Sequence, residues 1–210
     1  MRVEKVKDER FEKIRESLYK ELLKANIHFK IFWAIYSAPK DIADIRNVYL
    51  SFFYYTMWGH NDRFCLGIYN LLKPDPDTAN FTKFFNYIRS NKDLSRIIDL
   101  REIDEMEASI QSHEEMIGKI KVIRDQYVAH NQLEKKHLAK ETTYTYEEGK
   151  QLLVALNKIL DSVSKKYDGR LYWADSTKLL DVSPGLNVED MLRHLKEHRN
   201  TQIEKRRQGV

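Results

Sequence analysis

A single cysteine, Cys65, stands in 210 residues, so no internal disulfide can form and stability has to come from burial. A lone thiol fits a reducing compartment, and the cytoplasm is the expected location. Four prolines and seven glycines leave few points at which a helix must stop, which favours an all-helical fold. Long apolar runs are missing as well. The greasiest stretch, residues 48–58, is roughly half of the ~20 residues that span a bilayer. It leads into His60-Asn61-Asp62-Arg63, so it reads as a core helix and no membrane partner is expected. The opening Met1-Arg2-Val3-Glu4-Lys5 lacks the apolar segment of a signal peptide. There is no phosphate-cradling glycine loop and no paired Cys/His spacing, and His113-Glu114-Glu115 lacks the second histidine of a zinc helix. His130 and His137 straddle a loop but have no acidic partner at a helical interval. Neither a metal nor a cofactor is expected.

What the chain does have is helical periodicity. Val6, Phe11, Ile14, Leu18 and Leu22 recur at three- to five-residue steps, with Leu23 beside the last, and predict a helix over residues 3–38, ended by Pro39. A second helix over 42–72, capped by Asp41, carries a wide apolar face that includes Ile45, Tyr49, Phe52, Phe53, Phe64, Ile68 and Leu71. Gly59 and Gly67 suggest a close helix contact on one side of it. Lys73-Pro74-Asp75-Pro76-Asp77 is a turn. A shorter helix follows near residues 80–90 with Phe81, Phe84, Phe85 and Ile88 inward. A fourth runs from about 101 to 130 on Ile103, Met106, Ile110, Ile117, Ile120 and Ile123. Thr145-Tyr146-Glu147-Glu148 is a capping box opening a helix to about Tyr167, and Asn187 can cap a last helix to about Asn200. The expected architecture is all-α. An antiparallel helical bundle fills residues 1–168, and residues 169–210 form a C-terminal extension with a short helix and a basic tail.

The net charge of +4 is mild but uneven. Arg193, Lys196, Arg199, Lys205, Arg206 and Arg207 face only Glu197 and Glu204 across the last eighteen residues, so the excess sits at this end. Such a tail either holds nucleic acid by counterion release or is a solvated, frayed terminus.

The most informative stretch is Arg124-Asp125-Gln126-Tyr127-Val128-Ala129-His130-Asn131. Arginine is a permanent cation suited to phosphate, and histidine trades protons near neutrality. The pair can bind a phosphodiester and move a proton without a metal, which is the chemistry of a ribonuclease. With 14 Arg and 7 His, chance gives roughly 1.4 cases of a histidine following an arginine after four to six intervening residues. Two occur. Arg193 and His198 sit in the charged tail, whereas Arg124 and His130 end a helix with a full buried stripe. The bland alternative is a surface ion pair between Arg124 and Asp125, with His130 merely closing the helix. On a straight helix, residues six apart differ by about 120° and about 9 Å of rise. Either the helix breaks before His130, or two copies meet across a twofold axis and share a cleft, so a homodimer is expected. His60, Asn61 and Arg63 are either a solvated turn or a polar contribution of the second helix to this site. Tyr127 is placed to stack on a base.

Arg124-Asp125-x-x-x-Ala129-His130 resembles the signature of the HEPN superfamily (higher eukaryotes and prokaryotes nucleotide-binding). Residues 58–85, with Arg63, Leu66-Gly67-Ile68-Tyr69 and the Asp75-x-Asp77-Thr78 turn before Phe81, resemble its abortive-infection AbiU-type branch. The resemblance covers about residues 48–131. It implies a homodimeric, metal-independent endoribonuclease acting in phage defence or as a toxin, with RNA as substrate and a cognate antitoxin as a further partner. It also implies roles: His130 as acid/base, Arg124 as phosphate and transition-state clamp, and Asp125 as the polar residue that orients either. Tyr127 and Asn131 would support them. The rival expectation is a non-catalytic HEPN bundle that binds a nucleotide, an RNA or a partner protein.

Overall fold

The computed structural model describes residues 8–73, 75, 77–125, 143–172 and 188–208. Among them are nine helices and no strand. No helix among the described residues is long and apolar enough to cross a membrane. The chain divides into two compact units, residues 8–26 with 62–172 and residues 27–61 with 188–208.

The first unit is a helical bundle built on the periodicity of its sequence. From α1 (Glu9–Tyr36), Phe11, Leu18 and Leu22 are fully buried. Phe64, Ile68 and Leu71 of α3 (Leu50–Leu72) and all four predicted residues of α4 (Phe81–Ser90) join them. Each such side chain contributes about 1.5–3 kcal/mol. The Phe11 ring lies 5.4 Å from that of Phe84 and 4.7 Å from that of Tyr167. Asn91 closes α4 and opens the short α5 (Lys92–Ile97), its side chain accepting from the Asp93 and Leu94 amides. Asp8 gathers several elements at one carboxylate. It accepts from the Phe11 amide, the Tyr87 hydroxyl and the Asn91 side chain, and its own amide donates to the Tyr167 hydroxyl.

The expected fourth helix is two. α6 (Leu100–Gln111) stops at Ser112 and α7 (Glu114–Ile123) restarts after His113. The break rephases the apolar stripe, so that Met116, Ile120 and Ile123 are buried on α7 while Ile117 is only partly covered. α7 is tied to α8 (Tyr146–Asp168), where the predicted capping box forms: Thr145 Oγ1 accepts from the Glu148 amide, and Glu148 accepts from the Thr145 amide at 2.6 Å. Glu148 also pairs with Lys119 of α7 at 2.6 Å. Gly169 ends α8 at φ 78°, a left-handed conformation that favours glycine.

The hydrogen bond from Lys119, with the cap amide, pulls the Glu148 carboxyl down to about 2. A depressed folded-state value gives stability that is present above the ordinary carboxylate range and lost as pH falls toward 2. Glu148→Gln, which preserves the cap's hydrogen-bonding pattern, is expected to cost about 1 kcal/mol at neutral pH. Urea titrations of both proteins should converge between pH 4.5 and 2; a gap independent of pH would contradict the assignment.

In the second unit, α2 (Lys40–Val48) packs on α9 (Val188–Gln208), with Ile35, Ile45, Phe53 and Leu192 as its buried centre. The expected second helix breaks at Tyr49 into α2 and α3, and the apolar face does not carry across the break. Ile45 and Phe53 are buried, but Tyr49 and Phe52 are 45% and 62% exposed. α2 begins at Lys40 with Pro39 before it, so Asp41 lies inside the helix and is not its cap. An added Cβ on Gly59 would meet nothing within 4 Å, and at Gly67 it would meet Ala25 at an ordinary 3.7 Å. The expected tight glycine contact is therefore absent at Gly59 and ordinary at Gly67. Arg46 donates to the carbonyls of Ile35 and Tyr36, closing the end of α1. α9 continues to Gln208, past the expected end near Asn200. Lys205, Arg206 and Arg207 fall in its last turn, where cations complement the helix dipole. The expected cap, Asn187, lies outside the described residues.

Candidate functional site

The end of α7 carries the first half of the signature. The Arg124 amide donates to the carbonyls of both Ile120 and Lys121, and the helix widens into a π-turn at Arg124 and Asp125. Asp125 pairs with Arg124 Nη1 at 2.8 Å, a contact that the bland ion-pair alternative and the signature reading both allow.

Arg124 is not a surface side chain: it is 19% exposed. Its guanidinium carbon lies 3.6 Å from the ring centre of Tyr69, on the last two turns of α3. Arg124 Nε is buried with no hydrogen-bond acceptor among the described residues. One face of the cation is covered by an aromatic ring and one nitrogen is neutralised by a carboxylate. The remaining edge of the planar fork keeps donors suited to a phosphoryl group.

Tyr127, His130 and Asn131 lie outside the described residues. Of the second-helix candidates, His60 places its Nδ1 2.7 Å from that of His28 on α1, and burial lowers its pKa. One of those two nitrogens must carry a proton and the other must accept it. Asn61 is buried and Arg63 is exposed. Tyr69 was legible only as part of the AbiU-like stretch, not as a site residue. Its contact with Arg124 spans 55 positions, and the one local hint was its place four residues before Lys73, which brings a cation over the same ring at 5.7 Å.

A family model that covers residues 8–190 places this all-α chain in the HEPN class. Within that class it belongs to the AbiU2 family, the abortive-infection branch. No curated protein and no solved structure matches the chain.

Proposed function

We propose that this protein is a metal-independent endoribonuclease acting in phage defence or as a toxin, as a cytoplasmic homodimer with a cognate antitoxin. The observation that carries the reading is Arg124, stacked on Tyr69 and paired with Asp125 at the widened end of α7. A guanidinium fixed in this way stabilises charge that builds on phosphoryl oxygens, an effect worth a few kcal/mol in the transition state. His130 removes the proton of a ribose 2′-hydroxyl. The 2′-oxygen then bonds to the adjacent phosphorus, the bond from phosphorus to the 5′-oxygen breaks, and the departing oxygen takes up a proton from water. The products are a 2′,3′-cyclic phosphate and a 5′-hydroxyl. Proton transfer of this kind contributes roughly 10²–10⁴ in rate.

Purified protein incubated with total RNA in EDTA should produce fragments with cyclic phosphate ends, and His130→Ala should not. Single-stranded DNA, which lacks the 2′-hydroxyl, should stay intact. Activity lost in chelator and restored by a divalent ion would overturn this mechanism. RNA retained but never cut would assign the protein to the binding branch of its class.

A further inference from the structure

We infer that Tyr69 and Lys73, at the end of α3, complete the Arg124 site: Tyr69 fixes the guanidinium, and Lys73 supplies a second cation for a neighbouring phosphate of the same RNA strand. The inference rests on the endoribonuclease reading and names residues that the arginine–histidine signature does not contain.

Tyr69 and Lys73 are four apart, so the helix puts them on one face, and the Lys73 amide donates to the Tyr69 carbonyl at 2.8 Å. Two cations therefore lie over one ring. The Arg124 guanidinium carbon is at 3.6 Å and the Lys73 ammonium at 5.7 Å from its centre. The two cations differ in what they offer. Arg124 is mostly covered, with its plane held by the ring and one nitrogen by Asp125. Lys73 is exposed and makes no ion pair among the described residues. A buried fork of fixed orientation suits a reacting phosphoryl group, whose charge must be met in one geometry. A mobile, hydrated ammonium suits a phosphate that only has to be held. One aromatic ring is shared by both, and no carboxylate among the described residues forms an ion pair with Lys73. Tyr69 is thus a positioning residue and Lys73 a binding residue.

The two roles separate in kinetics. Tyr69→Leu should lower kcat roughly tenfold with KM within about twofold and an unchanged melting temperature. Tyr69→Phe, which keeps the ring, should restore it. Lys73→Ala should do the reverse, raising KM about tenfold at constant kcat. Binding is read separately with a mixed-sequence 2′-O-methyl RNA oligonucleotide, which cannot be cut. Loss of one phosphate contact should make the slope of log affinity against log salt shallower by about 0.7 in Lys73→Ala. Lys73 is exposed, so this variant tests the inference even if Tyr69→Leu folds poorly. A native protein that neither binds the oligonucleotide nor cuts RNA overturns the ribonuclease reading. Native cleavage and binding with an unchanged salt slope in Lys73→Ala, or with a Tyr69→Leu loss that merely follows melting temperature, overturns this inference alone.

Discussion

Replacing Arg124 by lysine is expected to cut RNA cleavage about a hundredfold while leaving fold and RNA affinity nearly intact. Lysine preserves the charge, so the long-range attraction to phosphate survives. It cannot preserve the geometry. The guanidinium lies against the Tyr69 ring at 3.6 Å, presenting its donors in one plane, while Asp125 fixes one end of that plane. An ammonium is a hydrated point charge whose three donors rotate, and it cannot grip two phosphoryl oxygens at once. Single-turnover cleavage of a labelled RNA, run beside binding of its 2′-O-methyl form, measures the two effects separately. An unchanged cleavage rate would reduce Arg124 to a packing residue stacked on Tyr69.

The largest effect on stability should come from Asp168→Ala. Arg15 is fully buried, its Nη2 sits 2.7 Å from Asp168, and three rings, those of Phe11, Tyr167 and Tyr172, lie within 6 Å of its guanidinium carbon. Its Nε and Nη1 are buried with no acceptor among the described residues, so the carboxylate carries much of the compensation for this cation. Removing one partner of a buried pair leaves the other uncompensated, at a cost of about 3–5 kcal/mol. In a protein of this size that is a fall of about 10 °C in melting temperature. Burial is the largest single influence and would raise the Asp168 carboxyl, but the hydrogen bonds from Arg15 and the Arg170 amide, with the charges of both arginines, together outweigh it and hold the group below its ordinary value. The stabilisation is therefore present above the carboxylate range and fades as pH falls below it, closing the gap between native protein and variant in acid. Replacing both partners, Arg15→Met with Asp168→Leu, should recover most of the loss. Thermal unfolding across pH reads all three; a cost under about 1 kcal/mol for Asp168→Ala would show that Arg15 is compensated elsewhere.

The elements legible in the sequence were those decided locally. The four apolar positions of α4 are all buried, and the Thr145–Glu148 box forms with both of its hydrogen bonds. The breaks at Tyr49 and at Ser112–His113 were not legible. Neither contains proline or glycine, and the residues around them continue a helical period, so packing rather than propensity sets those ends. The exposure of Tyr49 and Phe52 follows from the first break. In the site, Arg124 and Asp125 could be read from their motif because they are neighbours in the chain. Tyr69 could not, since a ring that receives a cation from another helix carries no mark of it in its own surroundings.

The arrangement around Asp8 bears on how the protein can be handled. One carboxylate and its own amide join the start of α1, the hydroxyl of Tyr87 on α4, the Asn91 side chain that caps α5, and the hydroxyl of Tyr167 on α8. Four helices thus share a fastening at one residue near the amino end. A truncation that removes Asp8 would therefore loosen four helices at once, so any shortened form of the protein has to keep this residue.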